Sequence, residues 1–188
     1  MKTKLIILDN GHGINTPGKR SPKWSDGSQL FEYEFNRDVV KRIARMLDSE
    51  GITYKILVPE LEDVSLTERC RRTNVLAYNW DGEAILISVH ANAGGGTGWE
   101  CFTSVGKTKS DDYAAILLSE AEKMFPNWKM RGAKESDFAI LKNTACPAIL
   151  TENFFMDNEK DCRYIMQPDA RERIAQMHVQ AIKKMIKL

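Results

Sequence analysis

The sequence predicts an α/β fold: a mainly parallel sheet flanked by helices, in a single domain spanning residues 1–188. Three observations carry that expectation. Short apolar runs alternate with helical stripes, polar residues stand directly after the runs, and no linker, internal repeat or low-complexity segment interrupts the pattern. The 188 residues are 43% hydrophobic and 28% charged, ordinary globular values. A chain of this size buries about 70% of the surface it exposes when unfolded, enough for a core without disulfide staples. Its 27 basic and 26 acidic residues leave a net charge of +1, which argues against a basic nucleic-acid face and against a polybasic membrane anchor. No apolar run approaches the ~20 residues needed to cross a bilayer.

In chain order, residues 5–8 (Leu-Ile-Ile-Leu) form a continuous apolar run that ends in Asp9-Asn10-Gly11-His12-Gly13, a buried strand followed by a turn. Residues 14–30 mix Pro, Gly, Ser and Lys without period and read as a loop. From residue 32 to about 50, Phe35, Val39, Ile43 and Leu47 recur every four positions, one helical stripe that Gly51 ends. Residues 53–58 form a second strand, closed by Pro59. Ser65 and Glu68 have the spacing of a capping box for a helix reaching about residue 79. Residues 84–89 are the third strand, Gly94-Gly95-Gly96 a flexible loop, and 99–103 a further strand. Ser110 is expected to cap a helix to about residue 125. Residues 138–141 and 148–154 read as two more strands, and Pro168 opens a last helix with Ile174, Met177, Ala181 and Met185 on one stripe.

The amino terminus, Met1-Lys2-Thr3-Lys4 and then four apolar residues, is too short for the apolar stretch of about 7–15 residues in a secretory signal. Synthesis in the cytoplasm without a signal peptide is the expectation. Cys70, Cys101, Cys146 and Cys162 show no CxxC pairing and are expected to be reduced thiols.

His12 and His90 both follow strands, where α/β enzymes build their sites at the carboxyl ends of parallel strands. Glycines flank His12, which allows an unusual backbone and close approach of a ligand. A hydrolytic zinc site needs about three protein ligands and one open position. Two histidines supply two; Glu32 or Glu34, at a helix start that favours negative charge, supplies the third. A further carboxylate is needed to take a proton from water. Glu152 fits, because a Glu inside an apolar strand is costly unless paired or bound. Each residue also has a plainer reading: His12 as a loop residue, His90 as a satisfied core histidine, Glu32 as a dipole partner, Glu152 as half of a structural pair. His178, on the rim of an apolar helix face, is read as structural. Asp9 is a candidate metal ligand, or a group that holds a histidine ring by accepting its other N–H.

Four segments in order, Leu8-Asp9-Asn10-Gly11-His12-Gly13, Glu32-Tyr33-Glu34-Phe35-Asn36, Ser88-Val89-His90-Ala91-Asn92 and Pro147-Ala148-Ile149-Leu150-Thr151-Glu152, resemble the zinc-dependent N-acetylmuramoyl-L-alanine amidases of the amidase 3 type. Arg131-Gly132-Ala133-Lys134 is similar to the family's segment before the catalytic strand. The resemblance runs from about residue 4 to 186. It implies a six-stranded central sheet, one zinc ion held by His12, Glu32 and His90, and Glu152 as the catalytic base. It selects Glu32 over Glu34 because Asn36 stands four residues on. It further implies peptidoglycan as substrate, cut between N-acetylmuramic acid and L-alanine, with Asn92, Arg131 and Lys134 expected in the substrate groove. Two departures stand out: Asn10 in place of a proline, and Phe154 where the family often has glycine, expected to reshape the groove floor. With neither an autoinhibitory helical insertion nor an appended wall-binding module in the sequence, the chain resembles the compact lysis enzymes of phages and prophages, with access to the wall after release or lysis. A monomer is the default expectation. The alternatives are a zinc peptidase or deacylase acting on another amide, and a catalytically silent wall-binding module.

Overall fold

The computed structural model describes residues 3–188; Met1 and Lys2, where the amino-terminal reading begins, lie outside the described residues. Six strands and six helices follow in the order β1 (Leu5–Asn10), α1 (Glu32–Ser49), β2 (Tyr54–Ile56), α2 (Leu66–Asn79), β3 (Ala84–Asn92), β4 (Trp99–Thr103), α3 (Lys109–Met124), β5 (Met130–Glu135), α4 (Ala139–Lys142), β6 (Ala148–Phe155), α5 (Glu159–Ile165) and α6 (Pro168–Met185). They form one six-stranded sheet in the order β2-β1-β3-β6-β4-β5. Every neighbouring pair is parallel except β4–β6, which is antiparallel.

Strands covered on both faces read as unbroken apolar runs, and β1, β3 and β6 are buried along most of their length for that reason. Alternate side chains feed two cores. Ile6, Leu8, Ile85, Ile87 and Ile149 join α1, α3 and α6 in the larger one. Leu5, Ile7, Leu86, Ala148 and Leu150 join α2 and α4 in the smaller one. The chain leaves β1 for β2 on one side and returns to β3 on the other. The β1–β3 boundary is therefore the topological switch point, where open α/β sheets carry their ligands.

Several local expectations are corrected. Residues 138–141 are not a strand: α4 turns there, and Ile140 and Leu141 drop into the smaller core. A four-residue apolar run carries no period that separates the two readings. β5 and α5 were not predicted. β5 pairs with β4 alone, and its half-exposed sequence MRGAKE has no apolar alternation. Seven residues give α5 too little length for a stripe. Thr108, not Ser110, caps α3, in a reciprocal box with Asp111; Ser110 Oγ instead accepts from Ala148 N at 3.1 Å. Ser65 accepts from Glu68 N at 3.3 Å, but the Glu68 carboxylate turns outward to Arg71 and Arg72. The Gly94–Gly96 segment is held rather than loose: Asp157 Oδ2 accepts from Gly94 N (2.7 Å) and Gly95 N (2.8 Å), while Asp161 accepts from Thr97 Oγ1 and Gly98 N, both at 2.7 Å. All four cysteines are free thiols, as expected.

Candidate active site

His12 lies just past the end of β1, in a turn that three α1 residues hold. Asn36 Nδ2 donates to Gly11 O at 2.9 Å, Arg37 Nη1 donates to His12 O at 2.8 Å, and Glu32 reaches the ring itself. The unusual backbone belongs to His12 (φ 65°), not to the glycines beside it. Left-handed backbone at a non-glycine residue is uncommon and persists only where the surroundings enforce it. Gly11 serves close approach instead, but of protein: a Cβ there would stand 2.0 Å from Cε1 of His90. At Gly13 it would stand 2.1 Å from the backbone N of Asp63.

Glu32, in the first turn of α1, places Oε1 3.0 Å from His90 Nδ1 and 3.4 Å from His12 Nε2. One atom from each of the three residues lies within 4.8 Å of the others. Glu34 is exposed and bonded to its neighbour Tyr33, so the structure separates the two glutamates that the helix start left open. Burial alone would raise the Glu32 carboxyl, but hydrogen bonds from both imidazoles override it and hold the group well below the usual carboxylate range. Burial would likewise lower His90, and Glu32 reverses that, leaving it above its ordinary value.

Glu152 sits in register with His90 on the neighbouring strand. Its Oε2 is buried without a hydrogen-bond partner, as is Oε2 of Glu32. Burial pushes the Glu152 carboxyl up to about 8; His90 opposes the rise, and the charges of Glu32 and Glu100 add to it. His12, His90 and Glu152 line a groove of about 430 Å³, whose other walls include Lys19, Asp63, Leu66, Phe138 and Ile140.

Asn92, Arg131 and Lys134, expected along the groove, are not among the residues that line it; they are drawn together instead by a residue the sequence reading missed. Glu100 is buried and accepts from Asn92 Nδ2 (2.6 Å), Arg131 Nε (2.8 Å) and Lys134 Nζ. Its place between Trp99 and Cys101 in an alternating strand was the available signal. Asp9 does not touch a histidine ring. It accepts from Arg69 Nη1 and from Ser88 Oγ, each at 2.5 Å, and Ser88 Oγ lies 3.1 Å from His90 Nε2. Ser88 was visible as a polar interruption of an apolar strand, two residues before His90 and so on its face. Lys19, 4.0 Å from Glu32 Oε2, comes from the aperiodic loop and gave no signal. His178 is structural. Its Nδ1 donates to Ile174 O at 2.8 Å, Nε2 lies 3.0 Å from Thr151 Oγ1, and burial lowers its pKa to about 4. Phe154 does not shape the groove floor: at φ 68° its ring turns into the larger core, against Phe125, Trp128 and Tyr164. The left-handed backbone at this position is one that glycine adopts freely.

Imidazoles and carboxylates converge at the carboxyl ends of β1, β3 and β6 and the start of α1, an arrangement able to hold a metal ion beside a free carboxylate. The family described as N-acetylmuramoyl-L-alanine amidase (amidase 3) matches residues 6–184. The chain belongs to that family of enzymes. It is 31% identical over 186 residues to the N-acetylmuramoyl-L-alanine amidase CwlM of Bacillus licheniformis, covering 97% of this chain and 69% of that protein. It is 29% identical over 196 residues to the endolysin of Bacillus phage SPP1, covering 99% and 67%. Among solved structures, the N-acetylmuramoyl-L-alanine amidase from Clostridium difficile 630 superposes with a TM-score of 0.85 at 25% identity, covering 100% of this chain and 98% of that one.

Proposed function

We propose that residues 1–188 act as a single catalytic domain that hydrolyses the amide between the lactyl group of N-acetylmuramic acid and L-alanine in peptidoglycan, with a zinc ion held by His12, Glu32 and His90. The observation that carries this reading is the convergence of two imidazoles and a carboxylate beside the unpaired Glu152. The donor set fits zinc, whose bonds of 2.0–2.2 Å place neighbouring tetrahedral ligands about 3.4 Å apart. Glu32 Oε1 stands 3.0 and 3.4 Å from the two imidazole nitrogens. Bound there, zinc supplies the Lewis acidity that polarises an amide carbonyl and acidifies water.

The protein supplies the rest. Glu152, in register with His90, keeps a carboxylate oxygen without a hydrogen-bond partner, so it takes the proton of the attacking water and returns it to the departing L-alanine nitrogen. Its raised proton affinity suits a group that must hold a proton between those two steps. Arg131 and Lys134, gathered by Glu100 on the strand next to Glu152, offer positive charge to the substrate, and Phe138 and Ile140 offer it an apolar wall. The names of the relatives support the substrate, and among the described residues no helix is long and apolar enough to cross a membrane. The test is mass spectrometry of purified sacculi digested by the zinc-loaded protein, with metal analysis of the same sample. Intact stem peptides bearing a free L-alanine amine, and one zinc per chain, are expected; cuts within the peptide overturn the amidase reading.

A further inference from the structure

We infer that Arg69, Asp9 and Ser88 form a hydrogen-bond relay that fixes the His90 imidazole with its proton on Nε2, so that the ring presents the Nδ1 lone pair to the metal centre. The inference rests on the reading of His12, Glu32 and His90 as that centre. Each link has only one possible direction. Arg69 has donors alone, and its Nη1 meets Asp9 Oδ1 at 2.5 Å. Asp9, ion-paired to that guanidinium, is a carboxylate and only accepts. Ser88 has a single proton and two neighbours, Asp9 Oδ2 at 2.5 Å and His90 Nε2 at 3.1 Å. The carboxylate takes the Ser88 proton, because it has none to offer in return. The hydroxyl oxygen can then only accept from the ring, so Nε2 keeps its hydrogen, and Nδ1, which without a metal donates to Glu32 Oε1 at 3.0 Å, is the nitrogen whose lone pair would be offered to a bound metal.

The relay is built into the sheet. Asp9 and Ser88 are paired positions of β1 and β3, and Ser88 precedes His90 by two residues, so all three side chains share one face. Arg69, Asp9 and Ser88 are each no more than 2% exposed. A buried ion pair adds little to stability by itself, which leaves orientation as the use this one has. Arg69 also donates to the carbonyls of Asn10 and Val64, tying the relay to the turn that carries His12. Gly11 leaves the space in which the fixed ring lies. The two histidines therefore present different nitrogens: His12 faces Glu32 through Nε2, His90 through Nδ1.

The experiment measures zinc affinity of the full chain, stripped of metal, by competition with a chromophoric chelator. Ser88→Ala is expected to weaken binding about 10–100-fold, the usual effect of losing a partner that orients a metal ligand, and Ser88→Thr to recover all but about 3-fold. Thermal unfolding of the metal-free proteins separates this from loss of the fold. A long-range 1H–15N spectrum of the zinc-loaded wild type reads the tautomer whether or not the variants fold: a proton on Nε2 of His90 is expected, and a proton on Nδ1 overturns the relay. Wild-type affinity in a folded Ser88→Ala overturns the relay while leaving the metal centre standing. Zinc binding by the wild type no tighter than by His90→Ala overturns the metal centre, and the relay with it.

Discussion

Glu152 and Glu100 lie directly opposite one another on β6 and β4, on the same face of the sheet, and their surroundings treat them in opposite ways. Glu100 accepts from an amide, a guanidinium and an ammonium; burial would raise it, but the Lys134 and Arg131 bonds override that and hold it below its usual range. Glu152 has no such donors, keeps one oxygen unpaired and is pushed up to about 8. Two histidines repeat the contrast. His90 faces Glu32 in the groove, whereas His178 has both ring nitrogens satisfied inside the larger core. The lesson is physical. A buried polar group whose bonds are all made is holding structure; one left with free valence at the mouth of a groove has something else to bind.

Three substitutions break or sharpen that contrast. Glu152→Gln removes the proposed proton acceptor and leaves His12, Glu32 and His90 in place. Hydrolysis of sacculi is expected to fall by about 10²–10⁴-fold while zinc stoichiometry is unchanged; retained stem-peptide release would show that the unpaired carboxylate is not the base. Glu100→Gln takes the charge from under Arg131 and Lys134 and is expected to cost about 2–3 kcal/mol of stability, read by denaturant unfolding. A variant as stable as the wild type would mean that Glu100 is no better satisfied than Glu152. The smallest effect is at His178. With its folded pKa lowered to about 4 from 6.5, the unfolded chain binds a proton between those values that the folded chain refuses. This site therefore adds nothing to the pH dependence above about 6.5, and destabilises the fold as the pH falls below it. His178→Gln is expected to lose about 1–2 kcal/mol less than the wild type between pH 8 and 5.5, by the same unfolding assay.

Much of the candidate site was legible because its residues stand next to strong local signals. His12 and His90 follow apolar strand runs, Glu32 opens a helix with a clear stripe, and Glu152 is a charge inside an apolar strand. What escaped notice has a common cause. β5 is an edge strand whose residues never bury regularly, so no period records it. Glu100 and Lys19 matter only through partners at distant positions in the chain. The meaning of Phe154 reversed because a residue's type does not say which way its backbone turns; at φ 68° the ring enters the core.

The alternation of apolar runs and stripes determined by itself the α/β class, the helix–strand order of the amino-terminal half and the strand ends where chemistry belongs, because burial on both faces of a parallel sheet imposes continuous apolar segments. Tertiary structure decided the rest: how Glu32 reaches both imidazoles, that Ser88 stands between Asp9 and His90, and that Glu100 is ion-paired while Glu152 is not. Those outcomes depend on strand register and helix placement. A hydrogen bond extends about 3 Å, whereas Glu32 and His90 stand 58 positions apart in the chain, and Asp9 and Ser88 79.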